Sequence, residues 1–204
     1  MASNYDNSAS FYDGLSRLVF GNALVNAQRH YLPDIPPNSK VLIIGGGTGW
    51  ILEEIAKVHP SGLEIVYVEI SAKMMALSQK RNAGGNKVTF INKAVEEFTD
   101  EGFDVVITPF LFDNYTEKAL GPTFNHIHQM LKASGLWLNI DFQLLGKWWQ
   151  YAMLKSMLLF FKVLCGVESW RLPEIGSHFA SNGYWLLKKK AFYGSFIGAR
   201  VYRK

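Results

Sequence analysis

Three observations predict an α/β fold, doubly wound, with a mostly parallel seven-stranded sheet and a C-terminal antiparallel hairpin. Aliphatic runs without polar alternation, such as Val41-Leu42-Ile43-Ile44, suit strands covered on both faces. Helical patterns alternate with strand patterns from Lys40 to Phe142, the rhythm of right-handed parallel crossovers, and give five strands before residue 143. Two late candidates, Tyr184 to Phe192 and Ser195 to Tyr202, are parted only by Tyr193-Gly194 and so pair antiparallel. With 204 residues and 49% of them hydrophobic, the chain can bury one substantial core and reads as a single domain. Its parts are a helical cap (1–37), a core of crossovers (38–142), a helical insertion (143–183) and the terminal hairpin (184–204).

The first strand passes directly into Gly45-Gly46-Gly47-Thr48-Gly49, and Trp50 to Val58 then reads as a helix stopped by His59-Pro60 and Gly62. Glycines in that place let backbone amides approach a ligand closely at a helix start. Their spacing is G-x-G-x-G, not the G-x-G-x-x-G of a dinucleotide turn, which disfavours a pyrophosphate. About twenty residues on, Glu69 follows the strand Glu64-Ile65-Val66-Tyr67-Val68, where a carboxylate can accept both hydroxyl protons of a ribose.

These stretches resemble the class I S-adenosylmethionine-dependent methyltransferases, whose first motif reads V-L-D-I-G-x-G-T-G. Glu69-Ile70-Ser71-Ala72-Lys73-Met74-Met75 resembles the second motif, Val88 to Glu96 the third strand and adenine loop, and Phe103 to Thr108 the fourth strand. Leu131-Lys132-Ala133-Ser134-Gly135-Leu136-Trp137-Leu138 resembles the lead into the fifth, so the likeness covers residues 38–142 in order. The resemblance implies a Rossmann-like fold, S-adenosyl-L-methionine as cofactor and a methyl-transferring enzyme. It implies a loop of Gly45, Gly46, Gly47 and Gly49, with Glu69 on the ribose. It places Ile70, Met74, Ala94 and Val95 around the adenine, and Thr108 and Pro109 beside the methyl group. Two positions depart from the pattern: Ile43 replaces the usual acid of the first strand, and Ala94 replaces an Asp that commonly meets the adenine. The first motif is also similar to that of aminopropyltransferases of the spermidine synthase type, but Thr108-Pro109 stands where those carry an Asp.

The implied acceptor side has three segments. The first is Phe11-Tyr12-Asp13-Gly14 through Tyr31, whose Tyr-Asp resembles a cap that closes over the cofactor. The second, Thr108 to Tyr115, brings Phe110 and Phe112 near the sulfonium, a cation attracted to aromatic faces. Within it, Asp113 and Asn114 read first as a helix cap. The third is Lys147 to Cys165, nearly long enough for a membrane span but with Lys147, Lys155 and Lys162 on one helical stripe. An amphipathic helix packed on the domain, a lid, a dimer face and a membrane-surface helix all fit that pattern. Direct displacement asks little beyond alignment, and the base candidates are Tyr12, Asp113, His178 and Asp141. His126 and His128, two apart on a helix, form no metal pair.

Composition excludes several classes. A net charge of +4, with clusters at Lys188-Lys189-Lys190 and at Arg200, Arg203 and Lys204, fits a solvated strand face and not a nucleic-acid partner. Cys165 is alone, so neither a disulfide framework nor a cysteine metal site is expected. The polar opening Met1 to Asn7 lacks the order of a secretory signal, and a cytoplasmic setting is expected. The expectation is thus a methyltransferase acting on a small apolar or aromatic acceptor, with a homodimer as an open arrangement. The alternatives are a catalytically weak cofactor-binding regulator, or a membrane-surface or oligomerisation module built on 147–165.

Overall fold

The computed structural model describes residues 6, 9, 11–165, 169 and 171–204. The opening Met1 to Asn7 therefore lies outside the described residues apart from Asp6, and so does the side chain of Cys165. The chain runs α1 (Tyr12–Phe20), α2 (Ala23–Arg29), β1 (Lys40–Ile44), α3 (Trp50–Val58), β2 (Ser61–Val68), α4 (Ala72–Ser78) and β3 (Gly85–Ile91). It continues with β4 (Phe103–Pro109), α5 (Glu117–Met130), β5 (Leu131–Phe142), α6 (Trp148–Cys165), α7 (Ile175–Ser181), β6 (Trp185–Phe192) and β7 (Ile197–Arg203).

The strands form one sheet in the order β3-β2-β1-β4-β5-β7-β6. The first five are parallel, and β7 joins β5 antiparallel with β6 as the outer edge. Both faces of the inner strands are covered, which is why their sequences lack polar alternation. Val41, Ile43, Ile65, Tyr67, Val105 and Ile107 point into one layer with α3 and α6; Leu42, Ile44, Val66, Val68, Val106 and Trp137 point into the other with α5 and α7. The chain order reverses between β1 and β4, and the crevice outside their carboxyl ends is where ligands of such sheets sit.

The expected boundaries shift in three places. The third strand begins at Gly85, ahead of the expected Val88, and the loop after it holds a 3-10 turn at Val95–Glu97. The hairpin connection spans 193–196, with Tyr193, Gly194 and Ser195 all left-handed, so β7 begins at Ile197. Asp113 and Asn114 do not cap α5, because they sit in a separate 3-10 turn over Phe112–Asn114. The cap is Thr116, whose hydroxyl accepts from the Ala119 N–H. The basic cluster at 188–190 lies on the exposed edge strand β6, as expected of a solvated face, and lysines there discourage further strand pairing.

Gly49 explains the odd glycine spacing. It has φ +84° at the start of α3, and a Cβ there would stand 2.7 Å from the Ser78 Cα of α4. The last glycine of the run thus serves the close approach of two helices. Gly49→Ala should cost about 1–3 kcal/mol through left-handed strain and overpacking. Urea unfolding at constant m-value measures it, and an unchanged midpoint would contradict the packing role.

Candidate active site

The glycine run turns at the carboxyl end of β1 because Gly45 and Gly47 adopt φ +68° and +61°. Gly46 has a different reason: a Cβ there would enter the Tyr67 phenol ring. The Tyr67 hydroxyl in turn donates to the Gly47 carbonyl at 3.0 Å, fixing the loop against β2.

Glu69 ties this loop to the next one. Its two carboxylate oxygens accept from the Gly47 N–H at 3.0 Å and the Ser71 N–H at 2.9 Å. The residue is only 5% exposed. Burial pushes its carboxyl above the ordinary value, opposed by those backbone donors, which favour the charged form. A carboxylate has about four acceptor sites, so these donors do not exhaust Glu69, which also lines the crevice.

The N-terminal cap is latched over the same loop. Asp13 of α1 accepts from the Thr48 hydroxyl at 2.7 Å, the Trp50 indole N–H at 2.8 Å and the Arg81 guanidinium at 3.0 Å. Arg81 also donates through Nε to the Thr48 carbonyl at 2.9 Å. The guanidinium carbons of Arg17 and Arg81 lie 4.5 and 4.1 Å from the Trp50 ring centroid, cation-π contacts that join α1, α3 and the segment after α4. Asp6 adds a second tie, accepting from the Ser71 hydroxyl and the Lys73 N–H at 2.6 and 3.1 Å.

Beneath the cap lies a cavity of about 830 Å³. Of the expected cofactor residues, Gly45, Gly46, Gly47, Glu69, Ile70, Met74, Val95 and Pro109 line it. Ala94, Thr108 and Gly49 do not. Thr108 instead faces the core, where its hydroxyl oxygen accepts from the Trp137 indole and the Asn139 amide. Its side chain is spent on joining β4 to β5 and cannot frame a methyl group. Ala94 gives way to its neighbours Lys93 and Val95 in the lining.

Among the base candidates, Tyr12 and Asp113 line the cavity. His178 does not: it sits on α7 with its ring 5.6 Å from Phe124, in the aromatic layer under α5. His126 and His128 are structural, bonded to the Val95 and Phe98 carbonyls and to the Tyr184 hydroxyl. No metal-holding cluster occurs among the described residues. Phe110, just past β4, is left-handed at φ +55° and packs 5.1 Å from Phe142 on the cavity wall. Non-glycine residues in that region mark strained sites.

Asp113 and Asp141 form a buried acid pair beside this bend. Asp141 accepts from the Phe112 and Phe142 N–H groups at 3.1 and 3.0 Å. Burial raises both acids, Asp141 to about 7, and the Asp141 charge raises Asp113 further. Backbone donors favour the charged form of each acid, and Arg200 adds to this at Asp141 alone, so Asp113 holds its proton the more firmly. The folded pair therefore holds a proton that unfolded aspartates, near 3.8, have released. Between those limits the native state binds more protons than the unfolded one, so stability falls as pH rises from about 4 to 7. Asp113→Asn keeps a carbonyl oxygen for the Asn114 amide and removes one acid, so its urea midpoint should exceed wild type at pH 7 and converge with it near pH 4. A parallel pair of stability curves would refute the assignment.

No local pattern in the sequence marks Arg81, Trp50 or Lys93 as site residues. The Tyr12-Asp13 pair is visible, but the partners of Asp13 stand 35 to 68 residues away.

A family profile described as "Methyltransferase domain" matches residues 41–135. The chain is 29% identical over 160 residues to the ubiquinone/menaquinone biosynthesis C-methyltransferase UbiE of Wigglesworthia glossinidia brevipalpis, across 76% of this chain and 59% of that protein. It is 28% identical over 148 residues to a malonyl-[acyl-carrier protein] O-methyltransferase of Halalkalibacterium halodurans, across 66% of this chain and 52% of the relative. The chain thus spans between half and three fifths of the length of these relatives. The fold matches magnesium protoporphyrin IX methyltransferase of Synechocystis PCC 6803, solved with bound SAH, at TM-score 0.69 and 16% identity over 98% and 96% of the two chains. It also matches human N-acetylserotonin methyltransferase in complex with SAM, at TM-score 0.68 and 16% identity over 98% of this chain and 57% of that one. With the glycine loop, the buried acid after β2 and the strand order, these findings match residues 41–135 to a methyltransferase domain and give the chain the fold of the class I S-adenosylmethionine-dependent methyltransferases.

Proposed function

We propose that this chain binds S-adenosyl-L-methionine in the crevice beyond β1, β2 and β4, and methylates a small, largely apolar acceptor in the cavity beneath α1 and α6. The observation that carries the reading is Glu69. A single buried carboxylate, braced by two backbone amides at the crevice edge, suits a ribose diol.

The residues present fit the cofactor. Gly45 and Gly47 leave room that side chains would fill: a Cβ on Gly45 would meet Leu111 at 3.1 Å, and one on Gly47 would meet Met74 at 3.6 Å. Val68, Ile70, Met74 and Val95 provide an apolar slot for a flat base, and the loop amides suit the amino-acid tail. When bound, the cofactor supplies a methyl group on a sulfonium, already activated for displacement. What remains for the protein is alignment and exclusion of water. The Asp13 latch and the aromatic wall of Phe110 and Phe142 serve both. Asp113 lines the cavity with its proton held by burial, so it fits a hydrogen-bond donor toward the acceptor and not a base. Tyr12 lines the same space and fits a positioning role against the acceptor.

The small-molecule acceptor is favoured by the cavity's apolar lining from Val19, Leu24, Met153 and Met157. The relatives named above point the same way, one by its quinone-pathway name. Glu69→Ala should weaken binding of S-adenosylhomocysteine by about 1.5–3 kcal/mol, the range for hydrogen bonds to a charged group. Glu69→Gln, which keeps one acceptor oxygen, should fall between it and wild type. Titration calorimetry measures both; equal affinity in all three proteins, or no heat with wild type, would sink the reading.

A further inference from the structure

Two helices carry large apolar side chains into solvent around the mouth of the cavity. On α1, Leu18 is 83% exposed; on α6, Trp148 is 81% and Val163 77% exposed, with Leu159 also exposed. Val19 and Phe160 are exposed and line the cavity as well, so the apolar skin is continuous with the cavity wall. Tyr12 of α1 lies 6.2 Å from Phe161 of α6, which joins the two helices at that rim.

The placement of charge on α6 is equally one-sided. Successive residues of a helix turn by about 100°. Trp148, Leu159 and Val163 therefore share one outward stripe, while Lys155 and Lys162 run along its flank and Lys147 lies beyond them. Residues 143–165 contain these three lysines and no Asp or Glu. The inward stripe, including Leu154 and Leu158, is buried in the core layer on that side of the sheet. An exposed stripe of this composition, Trp and branched residues beside lysines, is the pattern of a helix lying in a headgroup region. Among the described residues no helix is long and apolar enough to cross a membrane, so the contact is with a surface.

We propose that α1 and α6 seat this face on an anionic lipid surface, with Trp148, Leu159 and Val163 at the acyl boundary, the lysines among the headgroups, and the cavity mouth opening toward the bilayer. A second copy of the chain is a poorer occupant. Two-fold pairing would place this lysine-bearing face against itself, with no acid on α6 to answer it. The docking stands independently of what fills the crevice beyond β1.

Co-sedimentation with vesicles of phosphatidylcholine alone, and of equimolar phosphatidylglycerol and phosphatidylcholine, tests it. Wild type should partition into the anionic vesicles at least several-fold more than into the neutral ones, and high salt should reduce the difference. Leu159→Glu and Val163→Glu on the outward stripe should lose that partition while keeping the wild-type melting temperature. If either variant fails to fold, Lys155→Glu, at a surface position, supplies the same comparison. Absence of vesicle binding by wild type, or binding unchanged in the folded variants, would overturn the proposal. So would light scattering that shows a dimer dissolved by Val163→Glu. Calorimetry with S-adenosylhomocysteine on the same proteins separates the two ideas: vesicle binding without that heat defeats the cofactor reading alone, and heat without vesicle binding defeats the docking alone.

Discussion

The arrangement depends on one buried carboxylate. Glu69 follows β2 and receives the amide of Gly47 from the first loop and the amide of Ser71 from the second. A charge so enclosed is tolerated only where donors replace the water it has lost. The donors are backbone groups, so the constraint acts on chain paths: the β1–α3 loop must curl toward β2, and α4 must start where Ser71 does. Positive φ at Gly45 and Gly47 makes the first of these paths feasible. Tyr67 presses from below and leaves no room for a side chain at Gly46. The loop is therefore shaped before any ligand arrives, which reduces what binding must spend on ordering.

The cap obeys a different logic. Asp13 gathers three donors that belong to the loop, to α3 and to the segment after α4, and every one of them is remote in sequence. Partly exposed ion pairs contribute little to global stability. Their effect here is local: they decide where α1 lies, and α1 is one wall of the cavity. A latch of modest strength over a ligand crevice also allows opening without unfolding the sheet, as the low-stability elements around binding sites generally do.

How much of this was legible in the sequence follows from the range of each interaction. The parallel core was readable because strand burial on both faces leaves a mark in consecutive residues, as in Val41 to Ile44, and α3 was placed from Trp50 to Val58 by its glycine and proline punctuation. Glu69 was readable because loop, strand and acid follow one another at a fixed distance. Thr108 stands apart from its expected place for the converse reason. Pattern places it at the end of β4, but the alternation of side chains along the strand decides which way it faces, and the indole of Trp137 claims it for the core. The Asp113–Asp141 pair was visible only as two separate candidates, since no sequence distance reveals that β5 brings an acid under the turn after β4.

Helix α6 shows where composition alone stops. Its sequence is apolar nearly all round, a property of helices buried on every side, or of helices with two apolar environments. The core layer satisfies one side through Leu154 and Leu158, and the cavity takes Met153 and Met157. What remains outward, Trp148, Leu159 and Val163, has no counterpart among the described residues of this chain that would justify it as packing. Scattered exposed apolar residues are ordinary on any surface. A stripe of them beside lysines, merging at Val19 and Phe160 into the wall of an apolar cavity, is a different arrangement, because the same surface would shield the route by which an acceptor poorly soluble in water reaches the site. Entry and docking then become one problem, solved by the one helix whose sequence suits neither a plain core nor a plain surface.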